Sequence, residues 1–496
     1  MFPIRKTIWR GMIVFALVFT TAGLAAASSF TVSPLTLVSG PSPFASCTIG
    51  SSGGSSINYV NTEVEPWVAV NPTNSNNIVG VFQQDRWSDG GAHGLVTAVS
   101  HNGGTTWSRT WAHFSFCSGG TVANGGDFDR ASDPWVTFAP NGEAYQISLS
   151  ASADLLTSGI LVSKSSDGGD TWSEPTTLIR ETNAFNFNDK ESITADPTNA
   201  NNVYAVWDRS RLPTDQANLN ALRSFAFRSD IMFSRTTNGG ISWEPARAIF
   251  HPKALEFSIA NQIVVLPNGT LVDVFADFKG SGINAPGVFV KVIRSTDKGA
   301  TWSDPITVDH LRSVGVTDPD TGQGVRTGDI IPDIAVDPNN GNLYIVWQDS
   351  RFSGGAHDDI AFSMSTDGGF NWSAPVKVNQ TTNNAAAFTA SVQVAANGTV
   401  GVTYYDFRNN TPAVGVPTDY WFINCPGGDC TNSANWSETH IAGSFDMETA
   451  PISRGFFLGD YEGLTSIGSD FVPFFIQTNS GNTANRTDAF FTTVGP

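Results

Sequence analysis

Charged side chains are scarce in this chain, and they are clustered. Only 15% of its 496 residues are Asp, Glu, Lys or Arg. Several gather in short stretches: Asp127, Asp129, Arg130 and Asp133; Asp189, Lys190 and Glu191; Asp329 and Asp333; Arg454, Asp460, Tyr461 and Glu462. Other acids and cations close apolar runs, as in Asp85-Arg86, Asp208-Arg209, Asp277 with Lys279, Asp349 with Arg351 and Asp406 with Arg408. Two carboxyl groups facing one pocket can divide general-acid and general-base work. A tyrosine beside a glutamate can serve as an activated nucleophile, and arginines can hold an anionic group through forked hydrogen bonds. On these grounds Asp133, Glu191, Asp460, Tyr461 and Glu462 are the catalytic candidates. Arg130, Lys190, Arg209, Arg351, Arg408 and Arg454 are the candidates for holding a substrate. The repeated acid–arginine pairs have a second reading, as ion pairs tying neighbouring elements together. Arg130, Lys190, Glu191, Tyr461 and Glu462 recur at no fixed position, so structural symmetry does not require them.

Other motifs carry no chemistry. Gly90 to His93 and Gly354 to His357 share Gly-Gly-Ala-His, but they are far apart in the chain and no metal site is expected. Asp318-Pro-Asp320-Thr-Gly322 lacks the later ligands of a calcium loop and reads as a turn. Gly50-Ser-Ser52-Gly-Gly54 has no strand-to-helix context for a nucleophile elbow. There is no Gly-Lys phosphate loop and no His-Glu-x-x-His, and no cofactor is expected.

A repeat must position the clusters. Five segments follow Ser/Thr-x-Asp/Asn-x-Gly-x-x-Trp: Ser100 to Trp107, Ser165 to Trp172, Thr236 to Trp243, Ser295 to Trp302 and Ser365 to Trp372. A decayed copy ends Ala434-Asn435-Trp436-Ser437. The Asp or Asn can bond backbone two residues on, the glycine accommodates positive φ, and the tryptophan opens the next strand. Each copy is therefore a structural clasp between two strands. Ahead of each lie two further runs, exemplified by Trp67-Val-Ala-Val-Asn-Pro72 and Val203-Tyr-Ala-Val-Trp-Asp208. The unit is thus a four-stranded meander, the sequence form of a propeller blade. In such a meander the stretch leading into the first strand and the loop after the second open on one face, where the charged clusters fall. The clasps lie on the other.

These clasps resemble those of the Asp-box (BNR-repeat) β-propellers of the sialidase superfamily, over roughly residues 60 to 445. The resemblance implies an all-β propeller. It leaves activity open, because the family includes sialidases, other glycosidases and proteins without known chemistry. Sialidase chemistry would need an arginine triad, an activated tyrosine and an acid. The family's N-terminal Arg-Ile-Pro motif is absent before the first clasp, and Arg211-Leu-Pro213 falls in the third unit. Cleavage of another glycoside by a carboxylate pair among Asp133, Glu191 and Asp460 is the second enzymatic reading. A non-catalytic glycan- or protein-binding scaffold is the alternative to both.

Six units begin near Glu65, Asp133, Asp189, Ser258, Asp333 and Phe388, and the tail holds three more strand-like runs without a clasp. The run Phe30-Thr-Val-Ser-Pro-Leu-Thr-Leu-Val38 resembles the strands after each clasp. We therefore expect seven blades, the last completed by this N-terminal strand, with six blades plus an appended β unit as the other arrangement. Residues 1–27 read as a secretory signal: Arg5, Lys6 and Arg10 precede an apolar run ending Ala25-Ala26-Ala27. Residues 28–496 then form one secreted domain, with no membrane span and expected as a monomer. Four cysteines suit an exported chain; Cys425 and Cys430 flank a turn, leaving Cys47 to pair with Cys117. A formal charge of −18 disfavours a phosphate backbone as partner, so nucleic acid is not expected. The resemblance and the propeller's axial face imply a carbohydrate or glycoconjugate ligand.

Overall fold

The computed structural model describes residues 30–183, 185–211, 228–253, 256–280 and 287–496. The signal expected over residues 1–27 lies outside them, as do Leu212 and Pro213. The described residues are all-β, with helical structure confined to single 3-10 turns. Among them, no helix is long and apolar enough to cross a membrane.

The first unit pairs Asn58–Val70, Ile78–Trp87, Ala92–Ser100 and Ser108–Thr110 in an antiparallel meander. Five more follow, their leading strands at Arg130–Phe138, Asn186–Ala195, Phe257–Val265, Asp333–Val336 and Ala387–Val394. In the tail, Gly463–Ile467, Asp470–Thr478 and Thr487–Phe491 pair in the same way. Their outer edge is taken by Thr36–Leu37, while Thr31–Val32 pairs with Val494–Gly495. The N-terminal run thus pairs with the C-terminal strands as the sequence predicts. Leading strands of successive units are neighbours, and Gly463–Ile467 neighbours those of both the sixth and the first unit. Second strands such as Val203–Arg211 are covered on both faces, which is why they read as unbroken apolar runs rather than alternating ones.

The five clasp turns share one bonding pattern. In each, the leading Ser or Thr hydroxyl accepts from the N–H of the glycine four residues on, at 2.8 to 2.9 Å. The Asp or Asn accepts from the N–H four residues on, at 2.8 to 3.0 Å. The tryptophans are half-buried rather than fully buried, because they sit at seams between units. Trp302 packs on Phe233 of the third unit and Trp107 on Phe491 of the tail, while Trp436 of the decayed copy is buried against Phe362 of the fifth. Gly104 has φ +87°, and a Cβ there would lie 2.1 Å from the Phe491 ring.

A second repeated feature aims side chains at the charged face. The leading strands break register after Val64, Ser132, Asp189, Ile259 and Phe388. Within these bulges Glu65, Asp133, Lys190, Ala260 and Thr389 take φ of 53°, 53°, 49°, 67° and 49°. A left-handed conformation costs a non-glycine residue about 1–2 kcal/mol, so something must hold it. The preceding unit does. Asp208 accepts from Ala260 N at 2.8 Å, and Gln348 from Thr389 N at 3.0 Å. Gln83, at the same strand position, reaches Ser132 at 3.1 Å.

Disulfides join Cys47 to Cys117 and Cys425 to Cys430, the expected pairing. Such bonds indicate an extracellular or otherwise oxidising environment. His93 lies near the first pair, but those sulfurs are bonded to each other and offer no thiolate to a metal.

Candidate functional site

On the face opposite the clasps a cavity of about 570 Å³ opens between the units. Its charged floor is built from the bulges. Lys190 is the hub: its Nζ lies 2.9 Å from Asp133, 2.8 Å from Asp460 and 3.4 Å from Glu65. Arg326 Nε donates to Asp460 Oδ1 at 2.8 Å, and its Nη2 pairs with Oδ2 of the same carboxylate. Arg86 donates to Gln83 at 2.6 Å and Ser453 at 3.1 Å, and shares the face of Phe457 with Arg326. Gln83 in turn donates to Glu65.

This arrangement separates the acids. Burial opposes charge on Asp133, but Lys190 and the Ser132 hydroxyl, 2.6 Å away, outweigh it and hold the carboxyl below its ordinary range. Asp460 is likewise resisted by burial and held well below normal by Arg326 and Lys190. Glu65 moves the other way, to about 8, through burial and the charge of Asp133. Asp189, on the cavity wall, is pushed up by burial and by Asp133.

The candidates named from sequence therefore divide. Asp133, Lys190 and Asp460 come together, and Arg454 stands exposed at the cavity rim with φ 67°. Arg130 lines the same cavity but is pinned by Asp89 at 2.9 Å, Gly50 O at 2.7 Å and Gly90 O at 2.6 Å. Glu191 is buried below the floor, where it accepts from Leu149 N; burial pushes it well above the carboxylate range. Tyr461 packs against the stacked rings of Trp67 and Trp135 and donates to Pro134 O at 3.2 Å; burial raises its hydroxyl too. Glu462 faces away, accepting from Ile476 N at 3.1 Å in the tail's core. Tyr461 and Glu462 thus form no pair, since adjacent side chains diverge.

Arg209, Arg351 and Arg408 are not brought to this cavity. They bind outer-strand acids: Glu181 at 2.5 Å, Asp309 at 2.9 Å and Glu438 at 2.5 Å. Arg351 and Arg408 also grip their own Asp349 and Asp406. These repeated pairs have the geometry of ties between strands.

Sequence reasoning did not single out Glu65 or Arg326, and it left Asp189 and Arg86 outside the candidates. A signal for Glu65 existed: Glu65-Pro66-Trp67 repeats in Asp133-Pro134-Trp135. Arg326 offered none. It arrives on an excursion between the fourth and fifth units, where Gly324–Arg326 pairs in parallel with Phe456–Phe457.

No family model and no curated protein matches the chain. Among solved structures it is similar to a protein of unknown function from Dyadobacter fermentans, 14% identical over 89% of this chain and 97% of that one, with a TM-score of 0.44. A Hadza microbial sialidase is 14% identical over 85% of this chain and 74% of its own, with a TM-score of 0.46. The α-L-arabinofuranosidase of Fusarium graminearum with an iminosugar inhibitor is 13% identical, over 71% and 93%, with a TM-score of 0.42. At such identities nothing about chemistry passes from them to this chain.

Proposed function

We propose that residues 28–496 form one secreted, monomeric, sialidase-like propeller of the Asp-box kind, with seven blades. Thr36–Leu37 is the outer strand of the last blade, and the axial cavity binds and hydrolyses a glycoside. One observation carries the chemical reading: Asp133 and Asp189 line the same open cavity, and their surroundings drive their protonation apart. A carboxyl pushed toward its protonated form by burial, in the same cavity as one held toward its ionised form by Lys190, is the division of labour that glycoside cleavage requires. Asp189 gives its proton to the departing glycosidic oxygen as the C–O bond breaks. Asp133 attacks the sugar carbon or draws the proton from an attacking water. Arg86, Arg326 and Arg454 offer an anionic substituent its counter-charge. The carboxylate pair is favoured over Tyr461 as nucleophile, because the Tyr461 hydroxyl is already bonded to Pro134.

A second reading, a non-catalytic glycan-binding propeller, is favoured by Lys190, whose ammonium already satisfies Asp133 and Asp460. A panel of chromogenic glycosides that includes sialosides and arabinofuranosides separates the two. Hydrolysis of at least one, reduced on the order of a thousandfold in Asp133→Asn and Asp189→Asn, is expected. No turnover on any substrate, with glycan binding retained, would establish the binding module instead.

A further inference from the structure

The cavity is two-sided, and the second side has no place in the chemistry above. The same cavity is lined by an apolar arc drawn from three consecutive units and the excursion between the fourth and fifth. Leu155 follows the second unit's second strand, Phe187 precedes the third unit's bulge, and Phe257 and Ile259 precede and flank the fourth's. Phe278 stacks on Phe257 with ring centroids 4.1 Å apart, and Ile330 extends the arc from the excursion. Phe187 stands two residues before Asp189 on one strand, so both point to the same side and the arc begins beside the proton donor. Phe257 and Ile259 stay partly exposed in a chain whose other large apolar side chains are mostly buried. An apolar group buried against this wall leaves no hydrogen bond unmade, whereas a hydroxyl turned into it would.

We propose that this arc is the aglycone subsite, taking an aryl or alkyl leaving group joined to the sugar held at the charged floor. The inference deepens the glycosidase reading by assigning the class of leaving group. The site is amphipathic because its ligand is, with charge at one end and an apolar body at the other.

The test uses two probes, so that loss of the subsite and loss of the enzymatic reading are distinguishable. The first needs no catalysis. 8-Anilinonaphthalene-1-sulfonate, an aromatic anion, should bind the full chain saturably at one site. Affinity should fall about tenfold in Phe257→Ala, the loss expected for one apolar side chain. Leu155→Gly provides a variant that folds readily, because Leu155 has φ 62° and glycine relieves that backbone; it should weaken the probe as well. Phe370→Ala, at an exposed ring elsewhere, should leave binding unchanged. The second probe is kinetic: on whichever glycoside is hydrolysed, the two wall variants should raise KM for aryl over methyl aglycones while leaving kcat within about twofold. Wild-type probe affinity in both wall variants would overturn the subsite. Weakened probe binding without hydrolysis of any glycoside would leave the subsite standing and remove only the enzyme.

Discussion

Lys190 Nζ lies 2.9 Å from Asp133 Oδ2, and both residues leave the backbone from left-handed bulge positions in successive units. Two strained residues converge on one ion pair, which fixes the floor of the cavity before any ligand arrives. Replacing the ammonium tests how much rests on it. Lys190→Met leaves Asp133 and Asp460 without their shared cation. It should destabilise the fold by about 3–5 kcal/mol in denaturant unfolding, the usual cost of orphaning a buried charge partner.

The same pair sets the acid limit of stability. Asp133 and Asp460 have carboxyls held below their unfolded values, so their contribution is present above about pH 4 and is lost as pH falls through the folded values. Wild type should lose stability steeply below that point in a pH series of thermal melts. Lys190→Met should show a shallower fall, because Asp133 loses its cation while Asp460 keeps only Arg326.

Glu65 works in the opposite sense. Its folded value of about 8 exceeds the unfolded 4.5, so the folded state holds a proton that the unfolded state releases. Stability on this account declines as pH rises between those values and levels off above the upper one. Glu65→Gln, which keeps the shape and the contact with Gln83, should flatten that decline and exceed wild type in melting temperature at pH 8.

Gly104 and Gly103 separate backbone strain from packing. Both have positive φ, +87° and +68°, but only at Gly104 does a Cβ meet an aromatic ring, that of Phe491. Gly104→Ala should cost about 1–3 kcal/mol more than Gly103→Ala in urea unfolding. Equal costs would mean that the first clasp does not rest on the tail.

The disulfides should differ in worth. Cys47–Cys117 spans 70 residues and Cys425–Cys430 spans 5. The chain-entropy relation gives about 4 and 2 kcal/mol for double serine replacements. Denaturant midpoints of the two variants would check the order.

The strands and their turns were legible because they repeat. A Trp, a Gly and an Asp or Asn at fixed offsets mark the same hairpin five times, and runs like Val203 to Trp207 announce buried strands. The site was legible only in part. Asp133, Lys190 and Asp460 stood out within charged clusters of a sparsely charged chain, and the structure joins them. Arg209, Arg351 and Arg408 looked equivalent to them in sequence, yet they turn outward to acids on outer strands whose proximity no spacing reveals. The bulges are the reason. A register break of one residue decides which side chain faces the axis, and composition does not record it.

Thr36–Leu37 finds its partner only at Phe490–Phe491. During synthesis this N-terminal strand must wait, exposed and unmatched, for nearly the whole polypeptide to follow. A chain halted anywhere short of its last residues would therefore carry two ragged flanks, open to proteases and to other unfinished copies. Only the finished molecule conceals them, so truncation near Phe490 should be far more damaging than its small size suggests.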